Sequence, residues 1–163
     1  GQAVQLPAKT TSFKEWSERL QNFAYSEALQ QELTYWLQGS EDTTLPIEDT
    51  TGDNTVALTQ TVSVALPQTE TAALLQEVPA TYQTQINDVL LTALVQAFFQ
   101  WTQVPSLYLD LEGHGRESLF EDVEVSRTIG WFTTIFPVQL SLDDPEHCEK
   151  CLKSIKEQLR QIP

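Results

Sequence analysis

The spacing of apolar residues changes repeatedly between a helical period and a strand period, and this alternation limits what the chain can fold into. Helical spacing is found in five segments: 12–23, 26–37, 69–75, 86–101 and the stretch that follows Pro145. Alternating spacing predicts strands in three segments: 56–66, 106–112 and 131–141. Because helices and strands share one chain in a mixed order, we predict an α+β fold, an α/β sandwich in which helices cover a mixed β-sheet.

Polar residues and prolines predict where several of these elements begin and end. Thr69 is the predicted cap of a short helix that stops before Pro79. Asp144 is the predicted cap of the last helix, since Pro145 suits a first helical turn. The interval 39–55 is rich in Gly, Asp and Thr, which predicts a surface connection.

Composition excludes several classes of protein. With 163 residues, of which 40% are hydrophobic, the chain can fill the core of one domain. A formal charge of −14 excludes a general phosphate-binding surface, so we expect no nucleic-acid partner. No apolar run is long enough to span a bilayer and no signal-peptide pattern opens the sequence, which predicts a cytoplasmic protein without a membrane partner.

The basic residues near the C-terminus fall close to helical spacing: Lys150, Lys153, Lys156 and Arg160. They form either a positive stripe for an acidic partner or a solvated helix face. The second interpretation is favoured because acidic residues that can balance the charge lie in the same segment: Glu146, Glu149 and Glu157.

The only two cysteines of the chain, Cys148 and Cys151, follow His147 in an H-C-x-x-C pattern. A structural zinc site needs four ligands, and the chain has one further histidine, His114. A redox pair of the thioredoxin type begins a helix, whereas the predicted cap at Asp144 places these cysteines inside one. We therefore predict structural thiols and no metal site.

The segment 107–117 contains the strongest candidate for chemistry. Strand alternation places Glu112 at the end of a polar face, and glycines on both sides of His114 allow a sharp turn beside the carboxylate. A solvated surface hairpin is the alternative. The motif R-T-I-G-W-F-T follows at 127–133.

Several residues of these two motifs also have structural interpretations. Trp131 and Phe132 suit a protein core as well as a binding site. Arg116 and Arg127 suit salt bridges to neighbouring carboxylates, for which the candidates are Glu117, Glu121 and Asp122.

Three ordered motifs resemble those of a known family. The segment Ile86–Leu94, the E-G-H-G-R-E turn at 112–117, and the R-T-I-G-W-F-T motif with Pro137 resemble successive motifs of the condensation and epimerization superfamily of nonribosomal peptide synthetases. The opening segment Leu6–Trp16 is similar to a segment of the same family. Within the superfamily, the second and third motifs look more like those of epimerization domains.

The resemblance implies a fold like chloramphenicol acetyltransferase, with two lobes beside a substrate channel. It implies that residues 1–163 are a single C-terminal lobe, truncated at both ends, because the HHxxxDG motif of the preceding lobe is absent from the sequence. It also implies that Glu112 is catalytic. Further residues are then expected to line the channel: His114, Arg127, Trp131, Phe132 and Thr133.

The implied activity is inversion of the α-carbon of an aminoacyl or peptidyl thioester. Amide-bond formation and a silent carrier-binding fragment are the alternatives, and without HHxxxDG the isolated fragment is expected to be inactive. The implied partners are a peptidyl carrier protein, the N-terminal lobe, and neighbouring adenylation or condensation modules. No cofactor is expected on this chain, since 4'-phosphopantetheine arrives on the carrier protein.

Overall fold

The computed structural model describes residues 6–37, 45–47, 51–53 and 55–163. The elements are α1 (Phe13–Phe23), α2 (Glu27–Trp36), α3 (Gln68–Ala72), α4 (Val78–Tyr82), α5 (Ile86–Thr102), β1 (Ser106–Gly113), β2 (Thr134–Ser141) and α6 (Cys148–Arg160). Two compact units result, one from Gly1–Gly39 with Leu109–Val138 and one from Ser40–Tyr108 with Gln139–Pro163. The predicted combination of helices and strands is confirmed, and most of the interval 39–55 lies outside the described residues.

The first two helices begin where the segments 12–23 and 26–37 predicted, and each has a serine cap. The Ser12 hydroxyl accepts a hydrogen bond from the Glu15 amide at 3.1 Å, and the Ser26 hydroxyl accepts one from the Leu29 amide at 3.3 Å. Each bond satisfies an amide that has no partner within the helix. Local sequence was sufficient here because the capping hydroxyl and the amide that donates to it are only three residues apart.

The strand predicted for 56–66 is wrong. Val56–Leu58 is one turn of 3₁₀ helix, 59–67 has no regular secondary structure, and Val62 and Val64 are 91% and 96% exposed. A strand requires a neighbour for its backbone hydrogen bonds. The only sheet of the described residues pairs β1 with β2, so the alternating segment has no partner strand there.

The limits predicted for the short helix are also wrong. Pro67, not Thr69, is the cap of α3, and a π-helical segment at Ala73–Glu77 joins it to α4, which contains Pro79. Proline fits here because it occupies the first turn of α4, where its fixed φ suits a helix.

The last helix begins three residues later than predicted. Its N-cap is His147, and Cys148 is its first residue. The Asp144 carboxylate contacts the His147 ring and Lys150, at 2.7 Å in each case, so it does not cap the helix. The cysteines therefore lie in the first turn of α6.

β1 and β2 are antiparallel neighbours. The Leu142 amide donates to the Pro105 carbonyl at 2.7 Å, whereas Gly113 lies beside Thr134 at the other end of the pair. In β1 the predicted alternation is confirmed. Leu107, Leu109 and Leu111 are buried or half-buried, and their neighbours in sequence are exposed: Tyr108, Asp110 and Glu112.

The core of the first unit is aromatic. Trp16, Val125 and Phe132 are buried together, with Phe120 and Val123 packed against them. The Phe13 ring meets that of Phe132 edge to face at a centroid distance of 5.1 Å. The polar face of α1 is also anchored, since Arg19 makes two hydrogen bonds to Asp122, at 3.2 and 2.5 Å.

This ion pair predicts a pH-dependent stability. Hydrogen bonding to Arg19 holds the pKa of Asp122 below its ordinary value of 3.8, so the pair stabilises the fold above that value. The contribution is lost as the pH falls through the lower folded-state pKa. In urea unfolding, Asp122→Asn should reduce stability at neutral pH and match the unmodified chain in strong acid. Glu121→Gln, which leaves the pair intact, is the control; a pH-independent effect of Asp122→Asn would contradict the prediction.

In the second unit, α5 packs against α6. The largest fully buried side chains of the described residues lie here: Val95, Leu140, Cys151 and Ile155. The Gln158 side chain bonds to both backbone groups of Ser141, donating to the carbonyl at 2.7 Å and accepting from the amide at 2.8 Å. This contact fastens α6 to the end of β2.

The four basic side chains of α6 each have a partner within the chain. Lys150 pairs with Asp144 rather than Glu146, and Lys153 pairs with Glu149 at 2.6 Å. Lys156 donates to the Tyr82 carbonyl, and Arg160 contacts Glu157 and the Gln83 carbonyl. The favoured interpretation, a solvated and internally balanced face, describes this helix. Among the described helices, none is long and apolar enough to cross a membrane.

Candidate functional site

Glu112 lies on the exposed face of β1, one residue before the strand ends. Asp110 occupies the same face two residues earlier, so two carboxylates point away from the apolar side of the strand. Glu112 is therefore exposed, and none of the described residues encloses it in an apolar wall. The strand supplies a defined position for the carboxylate, because its apolar face holds β1 in register.

The Gly-His-Gly turn brings the chain against the start of β2. Gly115 has φ +66° and is buried, and a β-carbon there would overlap the Phe132 carbonyl. Only glycine suits both the conformation and the close approach. The exposed His114 ring accepts a hydrogen bond from the Arg116 amide through Nδ1 at 3.0 Å. His114 thus stabilises the turn next to Glu112.

Arg116 fixes the segment that carries the third motif. Its guanidinium donates to the carbonyls of Val125, Thr128 and Gly130, the last two at 3.0 and 3.5 Å. The same group lies 3.9 Å from the centroid of the Phe132 ring, a cation–π contact. One side chain of the E-G-H-G-R-E motif therefore holds the backbone of residues 125–130.

Replacing Arg116 with lysine should destabilise the first unit by about 2 kcal/mol, because an ammonium cannot reproduce the planar set of hydrogen bonds to several carbonyls. Urea unfolding measures the loss, and amide hydrogen exchange should accelerate in 126–131. Arg160→Lys removes a partly exposed arginine that also donates to a carbonyl, and it should change stability by less than about 0.5 kcal/mol. Unchanged exchange in Arg116→Lys would contradict this role.

The remaining residues of the third motif differ in how deeply they are buried. Phe132 lies in the aromatic core, whereas Trp131 is 82% exposed and Thr133 is exposed. Trp131, Phe132 and Thr133 line an open depression of about 300 Å³, together with His114, Arg116 and Gly130. The structure thus brings His114 and the W-F-T residues together on one surface.

Arg127 lies outside that depression. It is exposed and donates to the Ala8 carbonyl at 3.3 Å. The expected salt bridges of Arg116 and Arg127 are not formed with the proposed residues, since Asp122 pairs with Arg19 and Arg116 binds carbonyls. The sequence carried no local signal for this role of Arg116, because the carbonyls that it binds lie 9 to 14 residues further along the chain.

The zinc interpretation of H-C-x-x-C finds no support. Among the described residues, no group of three or more His, Cys, Asp or Glu side chains is arranged to hold a metal ion. Asp144 holds the His147 ring, and Cys148 and Cys151 are free thiols.

Comparisons with curated proteins identify close relatives. Linear gramicidin synthase subunits D and C of Brevibacillus parabrevis are 49% and 50% identical over 100% of this chain. Surfactin synthase subunit 1 of Bacillus subtilis (strain 168) is 40% identical over the same share. The chain spans only 3%, 2% and 5% of these relatives.

A solved structure matches the fold. The epimerization domain from the third module of tyrocidine synthetase B superposes with a TM-score of 0.85 at 41% sequence identity, covering 99% of this chain and 37% of that one. This match confirms the predicted fold class. The family model described as Condensation domain matches residues 1–163. The chain belongs to the condensation-domain family of nonribosomal peptide synthetases.

Proposed function

We propose that this chain is one lobe of an epimerization domain, in which Glu112 exchanges the α-hydrogen of an aminoacyl or peptidyl thioester held on a peptidyl carrier protein. The observation that carries the proposal is a carboxylate at the exposed end of β1, next to a turn that Gly115 and Arg116 hold in place. A base needs a defined position more than a deep pocket before its partner binds.

The chemistry explains why a single lobe is insufficient. Inversion requires one group to remove the proton from one face of the α-carbon and another to return a proton to the opposite face. Glu112 supplies one group, and the resemblance assigns the other to the second histidine of HHxxxDG in a preceding lobe. We propose that residues 1–163 form the C-terminal lobe and are inactive alone.

Solvation of Glu112 supports the same division of the site. In this chain the Glu112 carboxylate is exposed to water. A lobe that covers the polar face of β1 would exclude this water and place the opposing histidine. An enolate oxygen formed during exchange would also require hydrogen-bond donors.

The depression beside His114 is the proposed part of the substrate channel. Trp131 presents an exposed apolar surface and Thr133 an exposed hydroxyl, and a tethered acyl chain needs both kinds of contact. Phe132, which belongs to the aromatic core, forms the floor of the depression. We propose that Arg127 lines the entrance of the channel. The phosphopantetheine arm would enter on the carrier protein, with adenylation or condensation modules as neighbours in a cytoplasmic synthetase.

Amide-bond formation is the second candidate function, because the family model that matches the whole chain is that of condensation domains. In that reaction Glu112 would position an acceptor amine rather than remove an α-hydrogen. The similarity to a solved epimerization domain at 41% identity favours the first candidate.

The test compares the two reactions on the full domain that contains this lobe. A carrier protein loaded with an L-aminoacyl or peptidyl thioester is incubated in heavy water, and α-deuterium uptake and chirality are followed. Exchange with formation of the D-isomer supports the epimerase. A new amide with an acceptor-loaded carrier, and no exchange, assigns the lobe to condensation. If neither reaction occurs although both carriers bind, the lobe is a silent carrier-binding fragment.

A further inference from the structure

The first turn of α6 contains two thiols in different environments. Cys148 is the first helical residue and is exposed, whereas Cys151, three residues later, is completely buried. The Cys151 thiol donates to the Asp144 carbonyl at 3.2 Å, and burial raises its pKa. The helix start found in the structure removes the main objection to a redox pair, which was that both cysteines lie inside a helix.

The spacing allows these thiols to be joined. Side chains three residues apart on a helix have β-carbons separated by about 5–6 Å. A disulfide requires about 3.5–4.5 Å, so a shift of roughly 1–2 Å closes the gap. The first turn can make this shift, because the amide of Cys148 precedes the first hydrogen bond within the helix, from the Cys151 amide to the His147 carbonyl at 3.0 Å.

We propose that Cys148 and Cys151 are a redox-active pair that forms a disulfide across the first turn of α6. The pair reacts by exchange with a small-molecule disulfide such as oxidised glutathione. This site does not depend on the proposed function, since neither cysteine lies in the unit that carries Glu112.

The exchange has two steps. The Cys148 thiolate attacks one sulfur of the small disulfide, and a mixed disulfide forms while one small thiol leaves. Cys151 then gives up its proton and attacks Cys148 Sγ, which releases the second small thiol. The two protein thiols are oxidised, and the small disulfide is reduced to two thiols. The order follows from access, because an external disulfide reaches only Cys148 at the surface.

The whole chain contains two cysteines, so thiol counting reports this pair alone. The chain is equilibrated in glutathione buffers of increasing oxidised fraction. An alkylating agent then blocks the remaining free thiols, and the mass of the chain is measured by mass spectrometry. We expect both thiols to disappear together, with the loss of two hydrogen atoms and no persistent glutathione adduct. Peptide mapping should place the bond between Cys148 and Cys151.

Two variants test the order of the steps. Cys151→Ser should accumulate glutathione on Cys148, because no second thiol releases it. Cys148→Ser should react at least about tenfold more slowly than the unmodified chain, because its remaining thiol is buried. Far-ultraviolet circular dichroism shows whether each variant is folded, and Cys151→Ala is a second replacement if serine is not tolerated in the core.

Three results would overturn the proposal: a stable glutathione adduct on the unmodified chain, covalent dimers in place of the internal bond, or equal rates for Cys148→Ser and the unmodified chain. The mapped disulfide of the unmodified chain decides the matter even if both Cys151 variants fail to fold.

Discussion

Replacing Glu112 with glutamine should reduce α-deuterium uptake in the full domain by about 10²- to 10⁴-fold, the range typical for loss of a general base. The amide has nearly the same shape as the carboxylate but cannot accept the α-proton. Because Glu112 is exposed on β1, the substitution should leave the fold unchanged. Chiral analysis of the released product provides a second measure of the same step.

Asp110→Asn is the matched control. It removes a carboxylate from the same exposed face of the same strand, two residues before Glu112. We expect exchange to remain close to that of the unmodified domain. Equal losses in the two variants would indicate a general effect of negative charge on this face, and retained exchange in Glu112→Gln would exclude Glu112 as the base.

Replacing Trp16 with alanine should lower the free energy of unfolding of the first unit by about 3–5 kcal/mol, the usual cost of removing a buried tryptophan side chain. Trp16 is 6% exposed, and its ring contacts those of Phe120 and Phe132 at centroid distances of 5.7 and 6.2 Å. Its loss leaves a cavity under the segment that Arg116 holds. Urea unfolding followed by far-ultraviolet circular dichroism measures the change.

Trp131→Ala is the control within the same unit. Trp131 is exposed, so its removal should change stability by no more than about 0.5 kcal/mol. A stability loss equal to that of Trp16→Ala would show that Trp131 is also packed. If Trp131 lines the channel, the same variant should impair exchange while the domain remains stable, which separates binding from folding.

Short-range signals in the sequence predicted the local structure well. The helix starts predicted near residues 12 and 26 and the alternation of β1 were confirmed. In each case the interacting atoms belong to residues only two to four positions apart, so the pattern and the contact lie in the same short segment.

Predictions that required a distant partner were less successful. The segment 56–66 alternates like a strand, yet a strand forms only beside another edge. The predicted cap of α6 was wrong for a different reason, since Asp144 binds the nearby side chains of Lys150 and His147 instead of the helix amides. When a side chain has several possible partners, the fold decides which of them it contacts.

The sequence by itself determined the class of the fold, the family and the place of Glu112 at the end of a polar strand face, because these depend on local period and on motif order. Tertiary structure alone decided that Phe132 enters the core while Trp131 remains exposed, and that Arg116 binds the carbonyls of 125–130 rather than a carboxylate. Adjacent aromatic residues have the same apolar character in a sequence. Their burial differs because packing against Trp16 and Val125 admits only one of them.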